Sequence, residues 1–418
     1  MGKTGKIIVA ITLVLLLIPI SGEWFKYLGY LFDGEESSVK ELKFRELTSS
    51  TAEVVGIEDY NSLDIIIPSK VIIGTRVHAV TSIGDSAFMD FYGMKSIKIP
   101  STVKSIGHWA FSQCESLEQI EIPSSVTSIG DGAFSGCRTL EQIEIPSGVT
   151  RIGDGTFSGC WTLEQIEIPS SVTSIGDGAF SGCLTLEHIE IPTGVTSIGL
   201  STFRMCERLE QIEIPSSVTS IGDGAFSGCL TLEQIEIPSS VTSIGKRAFE
   251  NCKNLENIRI SSSITVVSES LFQGCSNLKS VIIPHNVNKI EDGAFRECIS
   301  LKTIDVPLGL TKIGDAAFYG CNDLETVVMP NGIEKIGNYA FKNCMNLKDI
   351  TIPATVRTIG KESFENCIGL KVLEIPSLVS VIGSYAFYGC ENLEIKIPSS
   401  LHGMYIGEKP FEGCKSIY

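Results

Sequence analysis

The sequence predicts a β-rich repeat solenoid of fifteen units, which follow each other with a constant period and stack through parallel strands. The block LEQIEIPSSVTSIGDGAFSGC at residues 117–137 returns with few changes at Leu163 and Leu209. Fifteen of the 19 phenylalanines, from Phe88 to Phe411, recur at a constant spacing of 23, except for a last interval of 24. Cysteine stands three places after this Phe in fourteen units, which accounts for all 14 cysteines. A fixed period of this length is typical of a solenoid.

Each unit opens with a short strand. Leu117, Ile120 and Ile122 form an L-x-x-I-x-I pattern in which Ile120 and Ile122 alternate with polar residues and point inward. Pro123 has no backbone N–H to donate, so strand pairing is expected to end there. Equivalent strands of successive units then stack in parallel at about 4.8 Å.

The rest of the unit supplies two further inward sets. Val126 and Ile129 form the second, and Gly130 is expected to permit a turn. Phe134 and Cys137 belong to the third, reached through a tight turn or a short helical piece. Burial of six apolar side chains contributes roughly 9–18 kcal/mol per unit, which is less than the cost of ordering the whole unit at about 1–2 kcal/mol for each residue. A single unit therefore cannot fold alone and must stack on its neighbours.

Composition excludes several classes of protein. The chain has 418 residues, of which 43% are hydrophobic and 20% charged, so it is too apolar to be disordered. Its 49 acidic and 33 basic side chains give a net charge of −16. This charge argues against nucleic acid as a partner.

The amino terminus has the pattern of an export signal. Lys3 and Lys6 precede an uncharged apolar run over residues 7–20, and the small residues Ser21 and Gly22 follow it. This run is short for a membrane-spanning helix and typical of a signal-peptide core. We expect residues 1–22 to direct export or to act as an anchor, and we expect membrane contact only there.

The remaining boundaries follow composition. Residues 23–52 are expected to be a linker and residues 53–80 an amino-terminal cap, since strand-like runs there contain Pro68 and Gly74. The solenoid is predicted for residues 81–414, with a short tail at 415–418.

The unit pattern L-x-x-I-x-I-P-x-x-V-x-x-I-G-x-x-A-F-x-x-C resembles the BspA-like leucine-rich repeat. The resemblance extends over residues 81–414, and Ser261, Ser268 and Glu291 depart from it. It implies a curved solenoid with parallel strands on the concave face and turns or short helical pieces on the convex face. It further implies a secreted or cell-surface protein engaged in adhesion or protein binding, without catalytic residues.

The cysteines are predicted to be free and buried. Their constant interval places each one in the same inward position of its own unit, where Cys behaves as a small hydrophobic residue. We therefore expect no disulfide. We also expect no metal site, because no C-x-x-C pair occurs and neighbouring cysteines are a full unit apart.

No catalytic constellation is visible. The five histidines, at positions 78, 108, 188, 285 and 402, occupy unrelated repeat positions or the ends of the chain. No Gly-rich phosphate loop is present, and a row of near-identical units lacks the unique cluster of side chains that catalysis requires. The sequence thus predicts no enzyme and no cofactor.

Polar positions that alternate with the inward isoleucines form acidic columns. These outward positions are the predicted binding residues: Gln119, Glu121, Gln142, Glu144, Gln165, Glu167, Glu190, Gln211, Glu213, Gln234 and Glu236. A second column carries glutamate from Glu118 to Glu256 and turns basic at Lys279, Lys302, Lys348 and Lys371. Residues 117–251 hold 18 acidic and 6 basic side chains, so most of the net charge lies there.

These columns favour a binding function. Like charges on adjacent strands repel by about 1 kcal/mol per pair even in water, which favours a basic or cation-bridged partner. The partner is expected to be a protein or another cell-surface macromolecule. Three alternatives remain open: a solvated face copied by duplication, a structural spacer without a specific ligand, and an intracellular scaffold if the leader does not direct export.

Overall fold

The computed structural model describes residues 42–58, 60, 63–398 and 405–418. The predicted export segment and most of the predicted linker lie outside these residues. Within the described ranges every regular element is a strand, so the third inward set is reached through turns and not through helical pieces. The same ranges contain no helix with the length and apolar character needed to cross a membrane.

A cap of five strands with mixed antiparallel and parallel pairing precedes the repeats. Its strands are β1 (Leu42–Thr48), β2 (Thr51–Ile57), β3 (Asp64–Ile66), β4 (Lys70–Ile73) and β5 (Arg76–Ile83). β1 pairs antiparallel with β2, and β4 pairs antiparallel with β5, whereas β2 and β3 pair in parallel with strands that follow them in the chain. The cap thus begins at Leu42, inside the stretch expected to be a linker, because Leu42 and Phe44 pack against the core.

The first strands of the units line one face of the solenoid, here called the front sheet, which consists of four consecutive parallel ladders. Neighbouring strands pair in register, with Ile143 opposite Ile166 and Ile212 opposite Ile235. At His188 only an isolated bridge to Gln165 remains. The front strands after β3 are Ser96–Lys98, Gln119–Glu121, Gln142–Glu144, Gln165–Glu167, Gln211–Glu213, Gln234–Glu236, Asn257–Arg259, Ser280–Ile282, Thr303–Ile304, Thr326–Val328, Asp349–Thr351, Val372–Glu374, Glu394–Lys396 and Ser416–Ile417.

The residues of the second inward set form short strands, which the sequence pattern did not predict. These strands line a second face, here called the side sheet, in four consecutive parallel ladders. It continues from β5, with Ile83 opposite Ile106. Its strands are very short and consist of one outward residue and one inward isoleucine or valine, except in the last strand, where Tyr405 and Ile406 are both exposed. They are Ser105–Ile106, Ser128–Ile129, Arg151–Ile152, Ser174–Ile175, Ser197–Ile198, Ser220–Ile221, Ser243–Ile244, Val266–Val267, Lys289–Ile290, Lys312–Ile313, Lys335–Ile336, Thr358–Ile359, Val381–Ile382 and Tyr405–Ile406.

A single core runs through all units. The fifteen periodic phenylalanines stack ring on ring, with centroids 5.1–5.8 Å apart and ring planes within 17° of parallel. Fourteen of them are fully buried, from Phe88 to Phe387, whereas Phe411 in the last unit is partly buried. The predicted stacking of units is therefore confirmed.

Glycine is required at the position of Gly130 for a reason other than the turn that the sequence analysis predicted. Gly130 does not adopt a positive φ. A Cβ at this position would lie 2.5 Å from the backbone nitrogen of His108 in the preceding unit. Glycine is required there because two backbones approach closely, not because the chain turns.

The turns instead depend on two left-handed positions in each unit. Gly132 and Gly136 adopt φ values of +63° and +75°. Other units place larger residues at the first of these positions, among them Trp109 with φ +52° and Ser201 with φ +52°. Residues other than glycine store strain in this conformation.

Candidate functional site

The candidate site is the outer surface of the front sheet. On strands such as Gln119–Glu121 the two outer residues are exposed while the central isoleucine is buried. In-register pairing places Gln142 opposite Gln165 and Glu144 opposite Glu167. Every predicted binding residue is exposed on this surface, so the alternation that the sequence predicted is confirmed as geometry.

The six glutamates occupy the same outward position in six consecutive units, here called the acidic row. Its members are Glu121, Glu144, Glu167, Glu190, Glu213 and Glu236. Glu190 lies outside the strands, between the ladder of Glu121, Glu144 and Glu167 and that of Glu213 and Glu236. Adjacent strands are about 4.8 Å apart, so the row extends over roughly 24 Å. Lys98 pairs in register with Glu121 at one end, and Arg259 occupies the equivalent position one unit after Glu236 at the other. The acidic row therefore has a defined length, bounded by a cation at each end.

A second row, here called the edge column, lies just before the front strands. It consists of Glu118, Glu141, Glu164, Glu187, Glu210, Glu233, Glu256, Lys279, Lys302, Glu325, Lys348 and Lys371. Backbone hydrogen bonds connect seven of the eleven successive pairs, for instance from the Glu164 N–H to the Glu141 carbonyl at 3.3 Å and from the Lys279 N–H to the Glu256 carbonyl at 2.8 Å. The Lys279 and Glu256 side chains form an ion pair at 2.6 Å where the charge changes sign.

The aspartates that follow the side-sheet strands stabilise the stacking of units. The carboxylate of Asp131 accepts a hydrogen bond from the Asp154 N–H at 2.9 Å, and Asp154 accepts one from the Asp177 N–H at 3.1 Å. The same bond recurs from Lys246 to Asp223 at 2.8 Å. The sequence analysis did not predict these hydrogen bonds, here called the Asp ladder, although the recurrence of Asp directly after Gly indicates a structural role. The Asp ladder binds one unit to the next and is not part of the candidate site.

The structure does not bring the histidines together. His78 is buried in the cap, where its ring nitrogen Nδ1 lies 3.1 Å from the Arg76 carbonyl oxygen. His108 lies on the Asp ladder, 3.5 Å from the Asp131 carboxylate, and His188 is exposed on the front sheet. His402 lies outside the described residues. Among those residues no three His, Cys, Asp or Glu side chains are grouped as metal ligands would be.

The cysteines occupy the inward position that the sequence predicted. Thirteen are buried and Cys414, in the last unit, is partly exposed. Each thiol lies 3.0–3.3 Å from a backbone carbonyl of the preceding unit and donates a hydrogen bond to it. Desolvation raises the pKa of Cys160 and Cys229 to about 12. These thiols are therefore kept protonated and are structural.

Comparison with known proteins agrees with this geometry. The model of the BspA-type leucine-rich repeat region matches in several copies over residues 81–210, 196–325 and 311–418. The chain belongs to the BspA-type leucine-rich repeat family. No curated protein matches the sequence.

Three solved structures of bacterial repeat proteins are similar to this chain. A leucine-rich repeat protein from Bacteroides ovatus is 33% identical, with a TM-score of 0.71 over 89% of this chain and 91% of that chain. A leucine-rich cell surface protein from Faecalibacterium prausnitzii is 30% identical, with a TM-score of 0.51 over 90% and 92%. The pneumococcal vaccine antigen PcpA is 20% identical, with a TM-score of 0.55 over 88% and 96%, and shares the fold. The likeness thus spans nearly the whole length of these proteins.

Proposed function

We propose that this chain is a non-enzymatic surface protein that binds a basic protein segment along the acidic row. The observation that carries the proposal is the in-register alignment of Glu144 with Glu167 and of Glu213 with Glu236 on adjacent strands. Carboxylates about 4.8 Å apart repel each other, and a cationic partner relieves that repulsion.

Location at the cell surface is part of the proposal. It is supported by the signal-like pattern of residues 1–22 and by the Faecalibacterium relative, which is described as a cell surface protein. Adhesion would then be the consequence of binding a basic partner on another cell or on host material. Solenoids commonly use an extended strand surface in this way.

The test uses a simple cationic probe. A decalysine peptide should bind the 418-residue chain, and a decaglutamate peptide should not. Replacing all six glutamates of the acidic row by glutamine should raise the decalysine dissociation constant roughly tenfold or more, because several exposed charges share the attraction. Fluorescence anisotropy at low and high salt measures both effects, and binding should weaken as salt increases.

A matched control separates the acidic row from net charge. A second variant carries six Glu→Gln changes at exposed positions outside the row, namely Glu58, Glu297, Glu334, Glu391, Glu408 and Glu412. This variant has the same net charge and should bind decalysine within about twofold of the parent, since most of the attraction is local. Equal losses in both variants, or no loss in the first, would contradict the proposal and leave the face as a solvated surface or a spacer.

A further inference from the structure

We infer that two copies of this chain associate side by side and antiparallel, related by a two-fold axis, through the edge column. The column is acidic in its first half and mainly basic in its second, and it changes sign between Glu256 and Lys279. A two-fold axis at this point brings the acidic half of each copy against the basic half of the other. Such an interface is self-complementary and closed.

The pairing can be followed unit by unit from the axis. Because both copies have the same spacing between strands, every charge on one copy meets an equivalent position on the other. Between Glu164 and Lys371 the axis defines five symmetry-distinct pairs, of which four are of opposite charge and Glu210 with Glu325 is the exception. The four pairs are Glu256 with Lys279, Glu233 with Lys302, Glu187 with Lys348, and Glu164 with Lys371 of the second copy. Beyond this stretch Glu141 would face Glu394, which continues the column after Lys371 and is also acidic.

All four lysines of the basic half are exposed, and two of them have no ion pair within the described residues. Lys302 and Lys371 are exposed and form no ion pair within the described residues. Lys279 and Lys348 are exposed as well, but each already forms an ion pair along the same column, with Glu256 at 2.6 Å and with Glu325 at 2.8 Å. The second of these pairs partly neutralises Glu325, which would face Glu210 of the second copy.

An apolar column beside the edge column gives independent support. This apolar column consists of the residues that directly follow the buried cysteines, three positions before each edge residue. Four of its members are large apolar side chains that are 41–44% exposed: Trp161, Ile299, Met345 and Ile368. Leu184 and Leu230 occupy the same column and are half-buried. An apolar row at the rim of a charged strip is typical of a contact surface.

The same two-fold axis matches these apolar residues to each other. It places Trp161 against Ile368, Leu184 against Met345, and Leu230 against Ile299 of the second copy. The polar residues of the column also meet polar ones, Glu207 with Asn322 and Lys253 with Ser276. Moving the axis by one unit in either direction leaves a single apolar pair, so the apolar pattern selects this register. The charges alone do not, since an axis between Glu233 and Glu256 also gives four opposite-charge pairs.

The acidic row is not complementary to itself under this two-fold axis. Under the same axis Glu236 would face Asp305 and Glu167 would face Glu374, while Glu213 would face Val328. The edge column is therefore the self-complementary surface, and the acidic row stays available to a different, basic partner. The two-fold contact would span ten units, roughly 45 Å.

Charge reversal in two variants tests the dimer. Variant A carries Lys302→Glu and Lys371→Glu, and variant B carries Glu164→Lys and Glu233→Lys. All four residues are exposed, so both variants should keep the parent's circular dichroism spectrum and denaturation midpoint. In sedimentation velocity at low salt, the parent 418-residue chain should form a dimer. Each variant alone should show a dissociation constant raised roughly tenfold or more, because attractive pairs become repulsive.

Mixing the variants gives the decisive measurement. In an A–B pair each reversed residue of one copy faces a reversed residue of the other, so all four opposite-charge contacts are restored. An equimolar mixture should therefore form a 1:1 dimer with affinity near that of the parent. A monomeric parent, a dimer unaffected by either variant, or a mixture that stays monomeric would each overturn the inference. Decalysine binding to the acidic row is measured separately, so failure of one proposal leaves the other intact.

Discussion

The thiol of Cys229 donates a hydrogen bond to the backbone carbonyl of Phe203 in the preceding unit, across 3.2 Å. The same bond recurs along the solenoid, so the cysteine column ties each unit to the one before it. The residue predicted as a small core filler thus also donates to a buried carbonyl, which accepts a second hydrogen bond from the Cys206 N–H at 3.2 Å.

Thiol reactivity should distinguish Cys414 from the other cysteines. Cys414 is partly exposed, while the remaining thirteen are buried. In native protein a thiol reagent should therefore modify about one group quickly, and about fourteen after denaturation, as expected for buried free thiols. Cys414→Ala should remove the fast group. A mass corresponding to several disulfides would contradict the free-thiol prediction.

Stability should fall in alkaline solution. Desolvation raises the pKa of Cys229 to about 12, whereas an unfolded cysteine titrates near about 8.5. Stabilisation by the protonated thiol is therefore complete below about pH 8.5 and is lost as pH rises toward 12, with a slope of about 1.4 kcal/mol per pH unit for each thiol. Urea unfolding under reducing conditions measures the slope. Cys229→Ala should reduce it by one thiol, and an unchanged slope would be inconsistent with this account.

The left-handed turn position allows a reciprocal pair of substitutions. Gly178 adopts φ +59° with ample space for an added Cβ, so Gly178→Ala tests conformational strain alone. We expect it to lower the free energy of unfolding by about 1 kcal/mol. Ser201 occupies the equivalent position with φ +52°, and Ser201→Gly should be neutral or stabilising by up to about 1 kcal/mol. Thermal or urea unfolding measures both; two changes of the same sign would argue against strain.

The Asp ladder offers a second reciprocal pair. Asp223 accepts a hydrogen bond from the Lys246 N–H at 2.8 Å, so Asp223→Ala should destabilise the protein by about 1 kcal/mol. Leu200 interrupts the ladder because its side chain has no acceptor for the next unit. Leu200→Asp should therefore stabilise the protein by a similar amount. Denaturation midpoints of the two variants should move in opposite directions if the ladder stabilises the stack.

Removing a whole unit should leave a folded protein. Deletion of residues 140–162 joins equivalent positions of neighbouring units, so the sheets and the Phe stack continue without a gap. Deletion of only residues 140–150 should abolish packing, because inward and outward positions no longer align. Circular dichroism and cooperative unfolding compare the two deletions. Equal loss of structure in both would be incompatible with stacked, interchangeable units.

The period, the inward residues and the outward acidic row followed from sequence alone. Each unit repeats the same apolar and polar residues. The pattern therefore determines which side chains are buried: the isoleucines that alternate with glutamine and glutamate, and the Phe and Cys that occur in almost every unit. Features that depend on contact between units became visible only in the tertiary structure. Gly130 is needed because the His108 backbone approaches it, Asp131 accepts a hydrogen bond from the next unit, and Ile129 belongs to a second sheet. None of these relationships exists within one unit, since each arises only when backbones about 4.8 Å apart share their hydrogen bonds.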